Sequence, residues 1–221
     1  MDCLSAVSQA ARTWQGEDTA MSTLAKSYLT PEQYLEIERK AEFKSEYYQG
    51  EMFAMSRARF AHIQIITNTA SLLHQQLRQR PCQPLSNDMR VCVKPSGLYT
   101  YPDIVIVCGE LQFLDNILDT LLNPTVIIEV LSASTEAYDR GGKFELYRSL
   151  DTLAEYVMIG SQRVSVERYT RQADGTWNLR AKNRLEDSID LRSVECHLAL
   201  ADLYEKVEFP KDQAPLAPRH P

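Results

Sequence analysis

Three polar residues stand in apolar company near the middle of this chain, and their types suit the holding of a divalent cation beside a positive charge. Asp103 lies in Tyr101-Pro102-Asp103-Ile104-Val105-Ile106-Val107, and Glu129 in Pro124-Thr125-Val126-Ile127-Ile128-Glu129-Val130-Leu131. Lys143 lies in Asp139-Arg140-Gly141-Gly142-Lys143-Phe144-Glu145-Leu146-Tyr147. Both carboxylates sit in β-branched runs short enough to be strands and apolar enough to be buried on both faces. An ionised carboxylate there is costly unless a cation or hydrogen-bond donors compensate it. Two such strands side by side, each with one carboxylate, make an oxygen-ligand site for a divalent metal. In a helix starting near Asp139, Lys143 shares a face with Leu146, Tyr147 and Leu150, which aims it at the sheet. Plainer roles stay open: Asp103 capping the turn after Pro102, Glu129 paired with an arginine, and Lys143 snorkelling to water.

The elements that must position these residues follow from patterning. Thr30-Pro31-Glu32-Gln33 is a helix start, with Thr30 as N-cap and Gln33 at the capping-box position, and the helix should run towards Phe43. Gly50 marks a turn before a short strand at 51–55. Residues 61–80 predict the clearest helix, with Ile63, Ile66, Ala70, Leu73 and Leu77 as its buried stripe and Pro81 as its stop. Met89 to Val93 alternates like a half-buried strand, followed by a turn at Pro95-Ser96-Gly97. The Ile104 and Val126 strands come next, then the lysine helix, a strand at 155–159 and a hairpin partner at 164–169. Asp174-Gly175 makes another tight turn, and 199–206 reads as a closing helix. This order predicts an α/β fold with a central mixed sheet flanked by helices.

The 221 residues suit one domain. Residues 1–20 are expected to be a disordered extension, 21–209 the domain, and 210–221 a loose Pro-rich tail. A net charge of −6 argues against a surface coated in phosphate-binding residues but leaves room for a local basic groove. Arg57, Arg59, Arg78, Arg80, Arg90 and Lys94 could rim such a groove or be ordinary surface charge. No apolar run approaches the ~20 residues that span a bilayer. The N-terminus lacks a basic and apolar leader, so no secretory signal is expected. The five cysteines, scattered and without a Cys-x-x-Cys pair, predict reduced thiols in a cytoplasm and no zinc site.

The constellation resembles the PD-(D/E)XK nuclease superfamily, with Pro102-Asp103 as its "PD" and Glu129 as its "(D/E)". The wider pattern is similar to one bacterial branch, the Uma-two family of restriction-endonuclease-like proteins. It is carried by Leu29-Thr30-Pro31-Glu32-Gln33-Tyr34, Tyr47-Tyr48-Gln49-Gly50-Glu51-Met52, Tyr99-Thr100-Tyr101-Pro102-Asp103, Ile128-Glu129-Val130-Leu131-Ser132 and Leu200-Ala201-Asp202-Leu203-Tyr204-Glu205. The superfamily lysine belongs two residues after Glu129, where Leu131 stands. The branch implies that the lysine has moved onto the next helix, at Lys143.

The resemblance implies a restriction-endonuclease-like core and a DNA endonuclease dependent on Mg2+ or Mn2+, acting as a homodimer so that both strands are cut. Asp103, Glu129 and the Val130 carbonyl would hold the metal, Lys143 would act on water or on phosphate charge, and Glu46 would be a helix-borne glutamate near them. His62 suits a helix cap better than a phosphate contact, Asp88 suits a turn, and Tyr138 and Tyr147 suit the core. Two other functions compete. A noncatalytic nucleic-acid-binding or scaffold protein would leave Lys143 outward. A metal-dependent phosphoesterase that does not cut nucleic acid would lack a basic strip beside Asp103 and Glu129.

Overall fold

The computed structural model describes residues 28–55 and 58–209. The expected disordered start, the Pro-rich tail at 210–221 and Arg57 lie outside those residues. In chain order the elements are α1 (Pro31–Glu38), β1 (Ser45–Tyr48), β2 (Glu51–Ala54), α2 (Phe60–Leu77), β3 (Cys82–Ser86), β4 (Arg90–Val93) and β5 (Leu98–Thr100). Then come β6 (Ile104–Cys108), β7 (Thr120–Leu121), β8 (Val126–Leu131), α3 (Glu136–Tyr138), a π-helical turn (Asp139–Lys143) and α4 (Phe144–Tyr147). The chain closes with β9 (Glu155–Gly160), β10 (Val166–Arg171), β11 (Trp177–Lys182), β12 (Ser188–Leu191), β13 (Cys196–Ala199) and α5 (Leu200–Leu203).

The main sheet has the order β11-β10-β9-β8-β6-β3, with β8 and β9 parallel and the other pairs antiparallel. A smaller sheet runs β2-β1-β5-β4-β7, and β12-β13 form a hairpin. This is the expected α/β architecture with a mixed central sheet. β6 and β8 are apolar on both faces because both faces are covered. Ile104, Ile106, Ile128 and Val130 pack towards Ile65, Leu73 and Leu77 of α2. Val105, Val107, Ile127 and Leu131 pack on the other side with Tyr147, Leu150 and Tyr156. Strand alternation puts Glu129 on this second side, and Asp103 stands just before β6 at the end of the strand pair.

α1 starts as predicted. Thr30 Oγ1 accepts from the Gln33 N–H at 3.3 Å, and Gln33 Oε1 accepts from the Thr30 N–H at 2.8 Å. Thr30→Ala should therefore cost about 1 kcal/mol, read as a lowered urea midpoint with an unchanged slope. The helix stops at Glu38 rather than running to Phe43, because the buried Glu38 carboxylate accepts from the N–H and hydroxyl of Ser45 at 2.9 and 2.6 Å and ties the chain into β1. At the tight β1–β2 turn Gly50 has φ +88°, and a Cβ there would lie 2.6 Å from the Tyr28 ring, so glycine is required on both counts.

Three expectations are corrected here. The buried stripe of α2 is Ile65, Thr69, Leu73 and Leu77, whereas Ile63 is exposed and Ile66 and Ala70 are only partly covered. The polar Thr69 hid this register: it is buried because its hydroxyl donates to the Ile65 carbonyl at 2.7 Å. β4 is buried along its whole length rather than alternately. Its Arg90 donates to Thr120 Oγ1, Tyr101 Oη and Asp119 Oδ2 at 2.9, 2.9 and 2.6 Å, which removes it from any phosphate-binding rim. Finally, Cys82 and Cys108 stand directly opposite each other across β3 and β6 and form a disulfide, contrary to the expectation of reduced thiols. Only the pairing of an edge strand that patterning did not reveal brings them together. Among the described residues no helix is long and apolar enough to cross a membrane.

Candidate active site

β6 and β8 are neighbours with Ile104 opposite Ile128, so Asp103 and Glu129 meet at one end of the pair. The Asp103 N–H donates to Glu129 Oε2 at 3.4 Å, and the Val130 N–H donates to Asp103 Oδ2 at 2.7 Å. Asp103 Oδ1 lies 3.1 Å from His62 Nε2. Glu129 Oε1 accepts from Tyr147 Oη at 2.8 Å and from Lys143 Nζ at 3.2 Å.

Lys143 points inward. Its ammonium is buried 2.9 Å from Glu46 Oε1, 3.2 Å from Glu129 Oε1 and 3.5 Å from Asp139 Oδ1. The π-helical turn makes this possible by putting Asp139 and Lys143 on the same inner side, where both are buried. Single π turns of this kind recur at functional sites. Neither Gly141 nor Gly142 is placed by a close approach to the sheet. A Cβ on Gly141 would touch nothing within 4 Å, and one on Gly142 would meet the Tyr138 ring at 2.9 Å.

Glu46 joins the cluster, but from strand β1 rather than from a helix. Thr100 Oγ1 donates to it at 2.6 Å, which fixes the carboxylate facing Lys143. Two residues were placed differently by sequence. His62 does not cap α2, since the N-cap is Arg59 without a side-chain bond, and instead abuts Asp103. Its Nδ1 is buried without a partner. Tyr138 is exposed at the cleft rather than in the core. Tyr147 is core, yet its hydroxyl also orients Glu129. Asp88 does lie in a turn, paired with Lys44 at 2.9 Å.

Asp139 and Tyr147 escaped the sequence reading as site residues. For Asp139 the signal was present as its i,i+4 spacing to Lys143. Tyr147 could have been found by the same helical spacing that aimed Lys143 inward.

Electrostatically the cluster is overloaded with negative charge. Glu46, Glu129 and Asp139 converge on one ammonium, with Asp103 beside Glu129. Burial pushes Glu129 up to about 8, against the pull of Lys143 and with help from Asp139, Asp103 and Glu46. Burial likewise raises Asp139. Burial alone would lower Lys143, but Glu129, Glu46 and Asp139 more than reverse it and hold it well above its usual range.

A sign follows for stability. Folded Glu129 keeps its proton to about 8, while the unfolded chain releases it near 4.5, so the native state binds the extra proton between those values. Its contribution is fully present below that window and is lost as pH rises through it. Metal-free protein should therefore melt at progressively lower temperature across the window, and Glu129→Gln should flatten much of the fall. A wild-type melting profile flat over that range would mean that Glu129 stays ionised.

The excess of carboxylate makes the donor set fit a divalent cation at Asp103 and Glu129. Among the described residues no three His, Cys, Asp or Glu side chains form a ready cage. Any cation held there would need backbone or water oxygens to complete its shell. The cluster opens onto a cleft of about 520 Å3 lined also by Phe43, Phe53, Tyr138, Val130 and Lys44.

The family model Uma2, described as "Putative restriction endonuclease", matches residues 31–202. The uncharacterized protein slr1290 of Synechocystis sp. is 33% identical over 184 residues, 82% of this chain and 94% of that protein. The uncharacterized protein sll1609 of the same organism is 35% identical over 151 residues, 68% of this chain and 85% of that protein. A crystal structure described as a putative nuclease belonging to DUF820 from Anabaena variabilis matches with a TM-score of 0.63 at 17% identity, over 78% of this chain and 96% of that one. The fold is restriction-endonuclease-like.

Proposed function

The chain belongs to the Uma2 family of restriction-endonuclease-like proteins, and we propose that it is a Mg2+- or Mn2+-dependent nuclease that hydrolyses phosphodiester bonds in DNA. One observation carries this reading: the buried Lys143 ammonium is clamped by Glu46, Glu129 and Asp139 beside Asp103, at the floor of an open cleft. A scaffold that merely kept the fold would have no use for a buried lysine held at this cost.

Asp103, Glu129 and the Val130 carbonyl would hold the cation. When bound, it supplies a water of lowered pKa and neutralises phosphate charge. The Val130 N–H fixes the Asp103 carboxylate and Tyr147 fixes that of Glu129. Lys143 offers a rigid positive charge to the phosphate in its transition state. Glu46 and Asp139 keep that ammonium protonated and in place. A homodimer would present two such clefts, one for each strand of a duplex.

A second reading, a phosphoesterase acting on smaller substrates, is favoured by one feature. Among the described residues the basic groups on the cleft wall are Lys44, His62 and Lys143, whereas Arg80 is spent on the Val194 and Glu195 carbonyls and Arg90 is buried. The decisive experiment incubates the purified chain with plasmid, single-stranded DNA and bis-p-nitrophenyl phosphate, each with Mg2+, Mn2+ or chelator. Metal-dependent cutting of DNA supports the nuclease. Hydrolysis of the small diester alone supports the phosphoesterase, and no turnover of any substrate removes both.

A further inference from the structure

We propose that the cleft recognises unpaired bases by stacking, so that the preferred substrate is single-stranded or locally opened nucleic acid rather than intact duplex. The proposal rests on the nuclease reading above and names the substrate form that the same site takes.

Five aromatic side chains are among the exposed large apolar groups of the described residues: Tyr28, Phe43, Phe53, Phe60 and Tyr138. Three of these, Phe43, Phe53 and Tyr138, stand on the wall of the one cleft that holds Asp103, Glu129 and Lys143. Phe43 is 70% exposed, Phe53 48% and Tyr138 42%. Large rings left in water around a charged floor call for a ligand that is flat, apolar on its faces and attached to something anionic.

Their placement is built rather than incidental. Phe53 lies directly opposite Glu46 across the β1–β2 hairpin. The two side chains therefore share a face, and a base on the Phe53 ring would bring its phosphate towards the Glu46–Lys143 pair. The Tyr138 ring is seated by Gly142, where a Cβ would collide with it at 2.9 Å, and it lies 5.8 Å from Lys143 Nζ. Thus a ring from the helical segment adjoins the ammonium, and a ring from the hairpin shares a face with the Glu46 carboxylate that binds it.

The charge on the wall argues in the same direction. Duplex binding is driven by neutralising many phosphates with Lys and Arg. Here Lys44 is engaged by Asp88 and the Asn87 carbonyl at 2.9 Å each, and Lys143 by three carboxylates. Four carboxylates face the same space. Among the described residues the wall offers little free counter-charge, so the exposed rings supply affinity by stacking, which every unpaired base offers and a paired base cannot provide. A volume of about 520 Å3 is also that of a small-ligand pocket rather than of a duplex groove.

The test is fluorescence anisotropy in chelator, where nothing is cut, with labelled oligo-dT, the same strand carrying abasic sites, and a duplex of equal length. Wild type should bind oligo-dT more tightly than the duplex or the abasic strand. Phe43→Leu, Phe53→Leu and Tyr138→Leu keep apolar bulk without an aromatic face, and at exposed positions they should leave the melting temperature unchanged. Each should weaken oligo-dT binding about 5- to 150-fold and leave abasic binding nearly as it was. Equal or tighter duplex binding by wild type, or leucine variants that bind oligo-dT as wild type does, would overturn the proposal. So would variants that alter only the sedimenting mass, which would make the patch a self-association surface. Mg2+-dependent duplex cutting alongside such a result would leave the nuclease standing. Absence of both binding and cutting of any nucleic acid would remove the nuclease reading as well.

Discussion

Asp103→Asn and Glu129→Gln are each expected to reduce metal-dependent cleavage by at least about 10³-fold, because each removes the negative charge of one of the two carboxylates that would hold the cation. Neither should unfold the protein. The asparagine oxygen can still accept from the Val130 N–H, and a glutamine oxygen can still accept from Tyr147 and Lys143. In chelator the two variants should be as stable as wild type or more so, since each lowers the repulsion within the four-carboxylate cluster. Glu129→Gln should gain most at the alkaline end, where wild-type Glu129 has lost the proton that burial favours. Calorimetric titration with Mg2+ and Mn2+ should show weakened binding in both. A variant that melts far below wild type at every pH would make its carboxylate a structural partner and not a metal donor.

How much of this was visible in the sequence depends on whether the signal was local. The Thr30 capping box, the apolar strands at 104–108 and 126–131, and the turn at Asp174-Gly175 depend on neighbours in the chain and appear where expected. The inward aim of Lys143 followed from helical spacing to Tyr147 and Leu150, both buried. What patterning missed is long-range or of mixed polarity. β3 contains Pro84 and polar Gln83 and Ser86, as an edge strand can, and so did not read as a strand. β1, Ser-Glu-Tyr-Tyr, pairs with β2 and β5, and its Glu46 points inward because Thr100 and Lys143 satisfy it. His62 sat in the first turn of a helix, where capping is the common role. Its partner, 41 positions away, is set by the tertiary packing of α2 against β6.

The substitution with the widest consequences is Lys143→Ala, which should lower cleavage by about 10²- to 10³-fold and also destabilise the metal-free protein by about 3–5 kcal/mol. Both effects have one source. The ammonium compensates Glu46, Glu129 and Asp139, and without it the buried Glu129 and Asp139 and the half-buried Glu46 face one another with no cation. A simple loss of activity would therefore be ambiguous, since a partly unfolded enzyme is also slow. Added Mg2+ separates the two effects. If Asp103 and Glu129 hold the cation, saturating metal should raise the melting temperature of the alanine variant more than that of wild type, because it replaces part of the missing positive charge. Turnover should stay low, since a cation at the carboxylates does not put a donor where Lys143 meets phosphate charge in the transition state. Lys143→Arg should rescue stability only in part and turnover poorly. The socket leaves the lysine side chain 8% exposed and is shaped around a compact ammonium, whereas a planar guanidinium projects its donors elsewhere. Wild-type turnover in the alanine variant at saturating Mg2+ would show that the chemistry does not need this lysine and that its burial serves the fold alone.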